Sequence, residues 1–298
     1  MKRCSHILLY HAVSDYSKQN NPPFLHNVRP HVFESQIRWI KDRFQIVSLD
    51  NIMTDFRGGQ CAITFDDSYL SIFKSAIPFL EQMEVPYTVF INGVTVEGKR
   101  LWRDKLRKVM ELGLAGDFLE ESPVLTQKYG VAFKTIFYQT KDSLVPSNVV
   151  DFMLDKFIYN RGIEVDVEPT LSAFGIDPSL KFISVGNRSY NNYILSSLNY
   201  KSQEREILSN KEILKNFGKK ISSVFSVPNG LGQDVNDNTR KILKEAGYTG
   251  MVFSQEKTDS CSLRVDEYGL KYANRYLAPS SLFKLQKAFF LKTFGLVY

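Results

Sequence analysis

A chain of 298 residues is long enough for one large α/β domain, or for one domain carrying an insertion. Hydrophobic residues at 43% and charged residues at 23% exclude a disordered chain by default. The net charge of +6 suits an acidic polymer or a membrane surface, yet no dense Lys/Arg block interleaved with aromatics marks a nucleic-acid groove, so no nucleic-acid partner is expected. Cys4, Cys61 and Cys261 are odd in number and far apart, which argues against a disulfide framework or a zinc knuckle; they read as reduced core thiols. The apolar run Ile7 to Tyr10, behind a basic head, is too short for a signal peptide or a membrane span, so the cytoplasm is the expected location.

In chain order, His6 to Tyr10 reads as the first strand and ends at His11; a Pro/Asn-rich loop fills residues 16 to 30. Phe33, Ile37, Ile40 and Phe44 have helical spacing, Gln45 to Leu49 reads as a short strand, and Gly58-Gly59 as a turn. Gln60 to Phe65 is an apolar, β-branched run with the character of a core strand. Ile72, Phe73, Ala76, Ile77, Leu80 and Met83 then mark a helix. Between them stand two adjacent carboxylates, Asp66 and Asp67. Turns of this kind lie at the C-terminal ends of strands in α/β sheets and barrels, where catalytic groups collect. Helix capping by Asp67 or Ser68 is the structural alternative, but a cap accounts for one of these residues and leaves a second acid as surplus charge.

Pro86 to Ile91 is a further strand, closed by Asn92-Gly93. From about Arg100 to Leu180 the chain is rich in Lys, Glu, Leu and Phe and lacks strong strand runs, with helix-like stretches at Trp102 to Leu112 and Pro146 to Asn160. We read 100–180 as an inserted helical subdomain within a body formed by 1–99 and 181–298. Alternation resumes with strand Lys181 to Val185, a helix about Gln203 to Phe217, strand Ile221 to Val227, a helix about Asn236 to Ala246 and strand Thr249 to Ser254. Five or more strands alternating with helices predict a parallel sheet or barrel. The basic, aromatic segment Ser281 to Phe294 predicts an amphipathic helix that packs on the domain, with membrane association as the lesser alternative.

These residues resemble the polysaccharide deacetylases with the NodB-homology domain, carbohydrate esterase family four. Thr64-Phe65-Asp66-Asp67-Ser68-Tyr69 looks like the family's Thr-Phe-Asp-Asp-Gly-Tyr, with Ser68 for glycine. Gly186-Asn187-Arg188-Ser189, followed by Asn192, falls where the family has Gly-Asn-His-Thr and a second histidine four positions on; Leu195-Ser196-Ser197-Leu198 continues the match. Phe225-Ser226-Val227-Pro228-Asn229-Gly230 resembles Phe-x-Tyr-Pro-x-Gly, and Leu9-Tyr10-His11 is similar to the Leu-x-His element that a circularly permuted branch carries at its N-terminus. The resemblance covers about 1–95 and 180–280 and implies a distorted (β/α) barrel.

It further implies a hydrolase removing an acetyl or other acyl group from an N- or O-acylated sugar, with a carbohydrate as partner. Asp66 would be the general base, Asp67 a metal ligand and His11 the general acid, about a divalent ion that polarises the acyl carbonyl. The two metal histidines do not carry over, because Arg188 and Asn192 stand in their places and no histidine follows His31. No cofactor is therefore expected, an atypical divalent metal on Asp67 being the alternative. Arg188 is placed to supply the missing positive charge, and Arg275 resembles a late Arg-hydrophobic element of the permuted branch that would orient Asp66 through a bidentate pair. Tyr69, Asn192, Pro228, Asn229 and Trp102 are candidates for contact with substrate; Trp102 and Asp104 otherwise pack the insertion, and the asparagines near Arg188 otherwise form turns. The alternative function is a catalytically silent relative that binds glycan or a partner enzyme.

Overall fold

The structure is a computed structural model that describes residues 4–15, 24–130, 136–166, 170–171, 176–254 and 262–293. Its centre is a 10-stranded sheet. From one end the strands run Arg264–Val265, Lys271–Asn274, Gly250–Phe253, Lys220–Ser226, Ile183–Asn187, Tyr87–Ile91, Gln60–Phe65, His6–Tyr10 and Tyr276–Leu277, with Gln45–Ile46 pairing separately to Gln60–Phe65. Every pairing is parallel except that of Arg264–Val265. Lys271–Asn274 and Tyr276–Leu277 belong to opposite ends of this order, yet only Arg275 separates them in the chain. The sheet therefore curls into a distorted α/β barrel whose two ends meet at that one residue.

Side chains alternate along a strand, so the register assigns two layers at once. Ile7, Ala62, Phe90, Val224, Val252 and Ala273 share one face and form an apolar interior against Leu49, Ile52 and Met53 of the helix Leu49–Thr54. Gly186 lies on the same face because a Cβ there would come within 2.4 Å of the Phe90 ring. The opposite faces of the strands carry Leu8, Cys61, Ile63, Tyr87, Val89 and Val185, which are covered by outer elements through Phe33, Ile37, Ile77 and Leu80. Each large side chain buried this way contributes on the order of 1.5 to 3 kcal/mol. Continuing the inward set by two-residue steps toward the C-terminal strand ends gives Thr64 and Asp66, then Arg188, Ser226, Ser254 and Arg275. The fold thus turns an apolar barrel interior into a polar mouth.

Between Tyr87–Ile91 and Ile183–Asn187 the described chain forms the helices Trp102–Glu111, Ala115–Glu120, Pro123–Tyr129, Ile136–Gln139 and Ser147–Arg161. They share a hydrophobic cluster of their own, centred on Trp102, Leu106, Phe118, Phe137, Leu154 and Phe157. The final helix, Leu282–Thr293, packs on the barrel: Phe289 is buried and stacks on His6 at 3.8 Å between ring centroids. Among the described residues no helix is long and apolar enough to cross a membrane.

Several elements differ from the sequence reading or add to it. The predicted strand at Gln45 to Leu49 is only Gln45–Ile46, because Ser48 caps the helix Leu49–Thr54 by accepting from the Asn51 N–H. Ala12–Val13 and Asn27–Val28 form a small parallel pair, so the expected loop of residues 16 to 30 contains a short strand at Asn27–Val28. The helix after the Asp pair begins as a π-turn, Ile72–Ala76, before Ile77–Gln82. Cys61 is a free buried thiol as read, but Cys4 is disulfide-bonded, which corrects the expectation of reduced cysteines throughout; Cys261 lies outside the described residues.

Candidate active site

The site assembles where adjacent parallel strands end together. Tyr10 pairs with Phe65, and the Asp66 N–H donates to the Tyr10 carbonyl at 3.0 Å, which sets His11 beside the two acids. Asp67 and Ser68 then turn the chain with φ of 65° and 48°, a left-handed conformation in which the family's glycine is unstrained and serine is not. Neither residue caps a helix: the Ser68 hydroxyl is buried without a partner, and the π-turn after it has Ser71 at its N-cap with no side-chain cap bond.

Arg188 arrives from Ile183–Asn187, two strands along the sheet from Gln60–Phe65, immediately after a register shift between Val185 and Asn187. Such an irregularity bends a strand and re-aims the residues beyond it. The loop is then fixed from behind. Asn92 Nδ2 donates to the Arg188 and Ser189 carbonyls at 2.7 and 3.0 Å, while Asn187 Nδ2 donates to the Tyr248 hydroxyl at 2.6 Å. Asn191 gives both its N–H and its amide to Glu206, at 2.8 and 2.6 Å.

Two carboxylates and two guanidiniums form the floor. Arg275 grips Asp66 with parallel bonds, Nη1 to Oδ1 and Nη2 to Oδ2, both 2.7 Å. Arg188 Nη1 also donates to Asp66 Oδ2, and Arg188 Nε donates to Asp67 Oδ1 at 2.9 Å. The Ser226 hydroxyl accepts from Arg188 Nη1 and Arg275 Nη2 at 2.8 and 2.9 Å and donates to Asp66 Oδ1 at 3.2 Å. Asn192 Nδ2 donates to Asp67 Oδ1 at 3.2 Å, and its own Oδ1 is buried with no partner. His11 Nε2 stands 3.9 Å from Asp67 Oδ2.

Charge states are set by this geometry. Burial alone would raise the Asp66 carboxyl, but Arg188 and Arg275 outweigh it and hold the group at about 2. Asp67 goes the other way: burial and the Asp66 charge raise it, against the pull of Arg188. Burial, then the neighbouring His26, lowers His11 well below the usual imidazole range, with Arg188 and Arg275 adding to the effect and Asp66 opposing it. His11 is neutral at pH 7.

Above the floor opens a cavity of about 620 Å³. Its described wall includes His11, His26, Asp67, Arg188, Asn192 and Asn229 from the barrel, and Trp102, Arg103, Arg107, Phe137, Tyr138 and Lys141 from the helical segment. Asp66 and Arg275 are fully buried beneath it, 0% and 1% exposed, and are not part of that wall. Tyr69 and Pro228 are not on it either. The Tyr69 hydroxyl faces away into a buried pair, donating to Asp104 Oδ1 at 3.0 Å and accepting from Arg107 Nη1 at 3.1 Å. Trp102 reaches the wall while its indole N–H donates to the Asn192 carbonyl at 3.0 Å, and Asn229 Nδ2 donates to Asp234 at 2.9 Å. Arg103, Arg107, Phe137, Tyr138, Lys141, His26, Ser226 and Ser254 were not singled out from the sequence. The strand alternation carries a signal for Ser226 and Ser254; nothing local marks the rest.

The donor set does not fit a divalent cation. Arg188 places its guanidinium against both carboxylates and Asn192 adds an amide N–H to Asp67 Oδ1, so the space between the two acids already holds a permanent positive charge. Among the described residues no three of His, Cys, Asp and Glu converge as a metal group.

Residues 182–251 match the family model for polysaccharide deacetylase, a stretch that contains Arg188, Asn192 and Ser226. Solved structures with the same fold include a deacetylase and a polysaccharide deacetylase. Streptococcus pyogenes deacetylase PplD, in complex with acetate, aligns over 96% of this chain and 98% of its own with a TM-score of 0.56 and 16% identity. IcaB from Ammonifex degensii aligns over 98% and 97% with 0.52 and 14%, and a polysaccharide deacetylase from Bacillus cereus over 96% and 69% with 0.54 and 15%. Among curated proteins none matches the chain. The chain thus has the NodB-type α/β barrel of these deacetylases and carries a polysaccharide deacetylase match across its central strands.

Proposed function

We propose that the protein hydrolyses an acyl group from an N- or O-acylated sugar, with His11 as the proton-transfer group and Arg188 in place of a metal. The observation that carries this reading is the pairing at the cavity floor of a neutral, cavity-facing His11 with a guanidinium that lines the same space. Asp66 is unsuited to the base role that the resemblance implies. Both its oxygens are engaged by guanidiniums, it is 0% exposed, and its carboxyl is held at about 2, so it neither meets water nor binds a proton strongly. Its function is to hold Arg188 and Arg275.

In the proposed reaction His11 takes a proton from water as its oxygen bonds to the acyl carbon. The carbonyl π pair moves onto oxygen and is stabilised there by Arg188 Nη2, which has no protein partner among the described residues. One well-placed oxyanion donor is worth roughly 3 to 4 kcal/mol. On collapse the bond from the acyl carbon to the sugar nitrogen or oxygen breaks, and the proton on His11 passes to that leaving atom, giving acetate and a free amine or hydroxyl. His11 therefore begins as base and ends as acid. The buried, unpartnered Asn192 Oδ1 is an acceptor suited to an amide N–H or a sugar hydroxyl.

The domain division, 1–99 with 181–298 as barrel and 100–180 as insertion, belongs to the same proposal and is supported by the separate cluster of the helical segment. For location, the disulfide at Cys4 favours an oxidising compartment over the cytoplasm. The sealed Asp66 and the absence of a fitting cation site among the described residues favour one second reading, a glycan-binding protein without turnover.

Acetate release from N- and O-acetylated oligosaccharides separates the two readings. Activity that persists with a chelator and vanishes in His11→Ala supports hydrolysis without metal; binding with no acetate release in the wild type supports the second reading. As a control, Arg188→His with Asn192→His should take up one zinc by equilibrium dialysis where the wild type takes none. Tight zinc binding by the wild type would overturn the role given to Arg188.

A further inference from the structure

We propose that the sugar taken by this cavity is anionic, and that Arg103 receives its carboxylate, phosphate or sulfate group. This rests on the cavity accepting an acyl sugar and goes further in naming its charge.

The cations at the cavity differ in how they are matched. Arg188 and Arg275 face Asp66 and Asp67, two against two. Arg107 is paired with Asp104. Arg103 has no carboxylate within ion-pair distance among the described residues. Its bonds go to neutral acceptors, from Nη1 to the Thr140 hydroxyl at 2.8 Å and from Nη2 to the Phe137 carbonyl at 2.5 Å, which leaves three of its five N–H donors uncommitted. It is nevertheless 9% exposed and lines the cavity.

A guanidinium keeps its proton under all physiological conditions, so burial without a counter-charge is a standing cost that loss of a proton cannot relieve. Aromatic faces offset part of it: the Arg103 guanidinium lies 4.6 Å from the Trp102 ring and 3.8 Å from the Phe137 ring. They also immobilise it, with its free donors available to an oxyanion in a bidentate grip. Lys141 Nζ lies 5.5 Å from the same Phe137 ring and adds positive charge to that side of the wall. The surroundings are those a sugar requires. Phe24 stacks on Phe137 at 4.6 Å, Tyr138 meets it edge-on, and both line the cavity with Trp102, giving apolar faces for a pyranose ring beside the cation. Asp67 is the one carboxylate on the described wall, and Arg188 already holds it. A neutral glycan would leave Arg103 unmatched after binding; an acidic one would not.

Calorimetric titration compares an oligosaccharide of alternating glucuronic acid and N-acetylglucosamine with a chitooligosaccharide of equal length, and N-acetylglucosamine 1-phosphate with N-acetylglucosamine. The acidic member of at least one pair should bind at least tenfold more tightly, with the preference shrinking as salt rises. The pair that shows it identifies the group as carboxylate or phosphate. Arg103→Met should bring the acidic-over-neutral ratio to within about threefold of unity. Should that variant not fold, Arg103→Lys keeps the charge but not the fork, and should lower the ratio without abolishing it. Equal affinity for the acidic and neutral members of both pairs, or a preference that survives Arg103→Met, overturns the proposal. Selective binding without acetate release would leave this inference standing and remove the hydrolytic reading instead.

Discussion

The floor of the cavity and its helical wall are both rich in arginine, yet they are built on opposite principles. On the floor every charge is answered: two guanidiniums meet two carboxylates, Ser226 bridges them, and the backbone that carries them comes from the strand ends of one sheet. The wall is carried by a segment with its own apolar cluster, and there Arg103 is held by neutral oxygens and ring faces. Apart from Arg188 Nη2, free among the described residues, a balanced network has little left to offer a ligand and serves to fix geometry. An unbalanced one is completed from outside. Under the proposal for Arg103, positioning falls to the floor and recognition to the wall.

The largest expected effect tests the floor. Replacing Arg275 with Met removes the bidentate partner of Asp66 and the residue at which the two ends of the sheet meet, leaving a fully buried carboxylate with Arg188 as its one cation and the Ser226 hydroxyl as its other side-chain donor. Breaking a buried ion pair from one side costs about 3 to 5 kcal/mol. Urea unfolding of Arg275→Met should show a loss of that size. A change below about 1 kcal/mol would mean that the floor is not a mutually dependent network.

A smaller effect is expected where the two regions meet. His26 lies beside His11, 5.4 Å between ring centroids, and its Nε2 is 2.7 Å from the Ala278 carbonyl, which fixes that nitrogen as the donor. Burial lowers its pKa to about 4. A group whose folded pKa is depressed contributes stability that is complete above its unfolded value, near 6.5, and is lost as pH falls through the folded value. Relative to His26→Gln, the wild type should therefore lose stability between about pH 6.5 and 4. The loss should be about 2 kcal/mol, less than the full shift implies because the residue is only partly buried. Proton NMR titration should show the His26 ring neutral down to about pH 4; protonation near 6.5 would show that water reaches the ring.

Legibility in the sequence divides in the same way. Asp66, Asp67 and His11 stand directly after apolar strand runs, so a two-residue period and a strand end are enough to mark them. Ser226 continues that alternation without standing out, because a serine at a strand end looks like a turn residue. Arg275 is visible only through resemblance. Its strands, Lys271–Asn274 and Tyr276–Leu277, are short and partly exposed, and no local pattern reveals that one residue joins the two ends of a barrel. Arg103, Arg107 and Phe137 escape notice for another reason. Helical periodicity shows which side of a helix is apolar, but it does not show which of the remaining residues line a mouth formed by distant strands. Tyr69 and Pro228 fall on the substrate side by motif alone, and the φ values at Asp67 and Ser68 turn the chain so that Tyr69 points instead to Asp104.

The turn that carries Asp67 into the floor holds local strain. Ser68 has φ 48° and a buried hydroxyl without a partner, at a position where the resemblance has glycine. The left-handed conformation costs an L-residue roughly 1 to 2 kcal/mol, and an unsatisfied buried hydroxyl about 1 to 3 kcal/mol. Glycine removes both costs but gives back about 0.5 to 1 kcal/mol through the greater freedom of the unfolded chain. Ser68→Gly should therefore raise stability by about 1 kcal/mol or more, while the Ser68 carbonyl keeps its bond from the Leu171 N–H at 2.8 Å. A gain in stability with no change in sugar binding would show that the floor holds this turn against a local preference, as expected of a region whose contacts over-determine its geometry. A loss of stability would mean that the serine hydroxyl has a solvent partner and that the turn carries no strain to release.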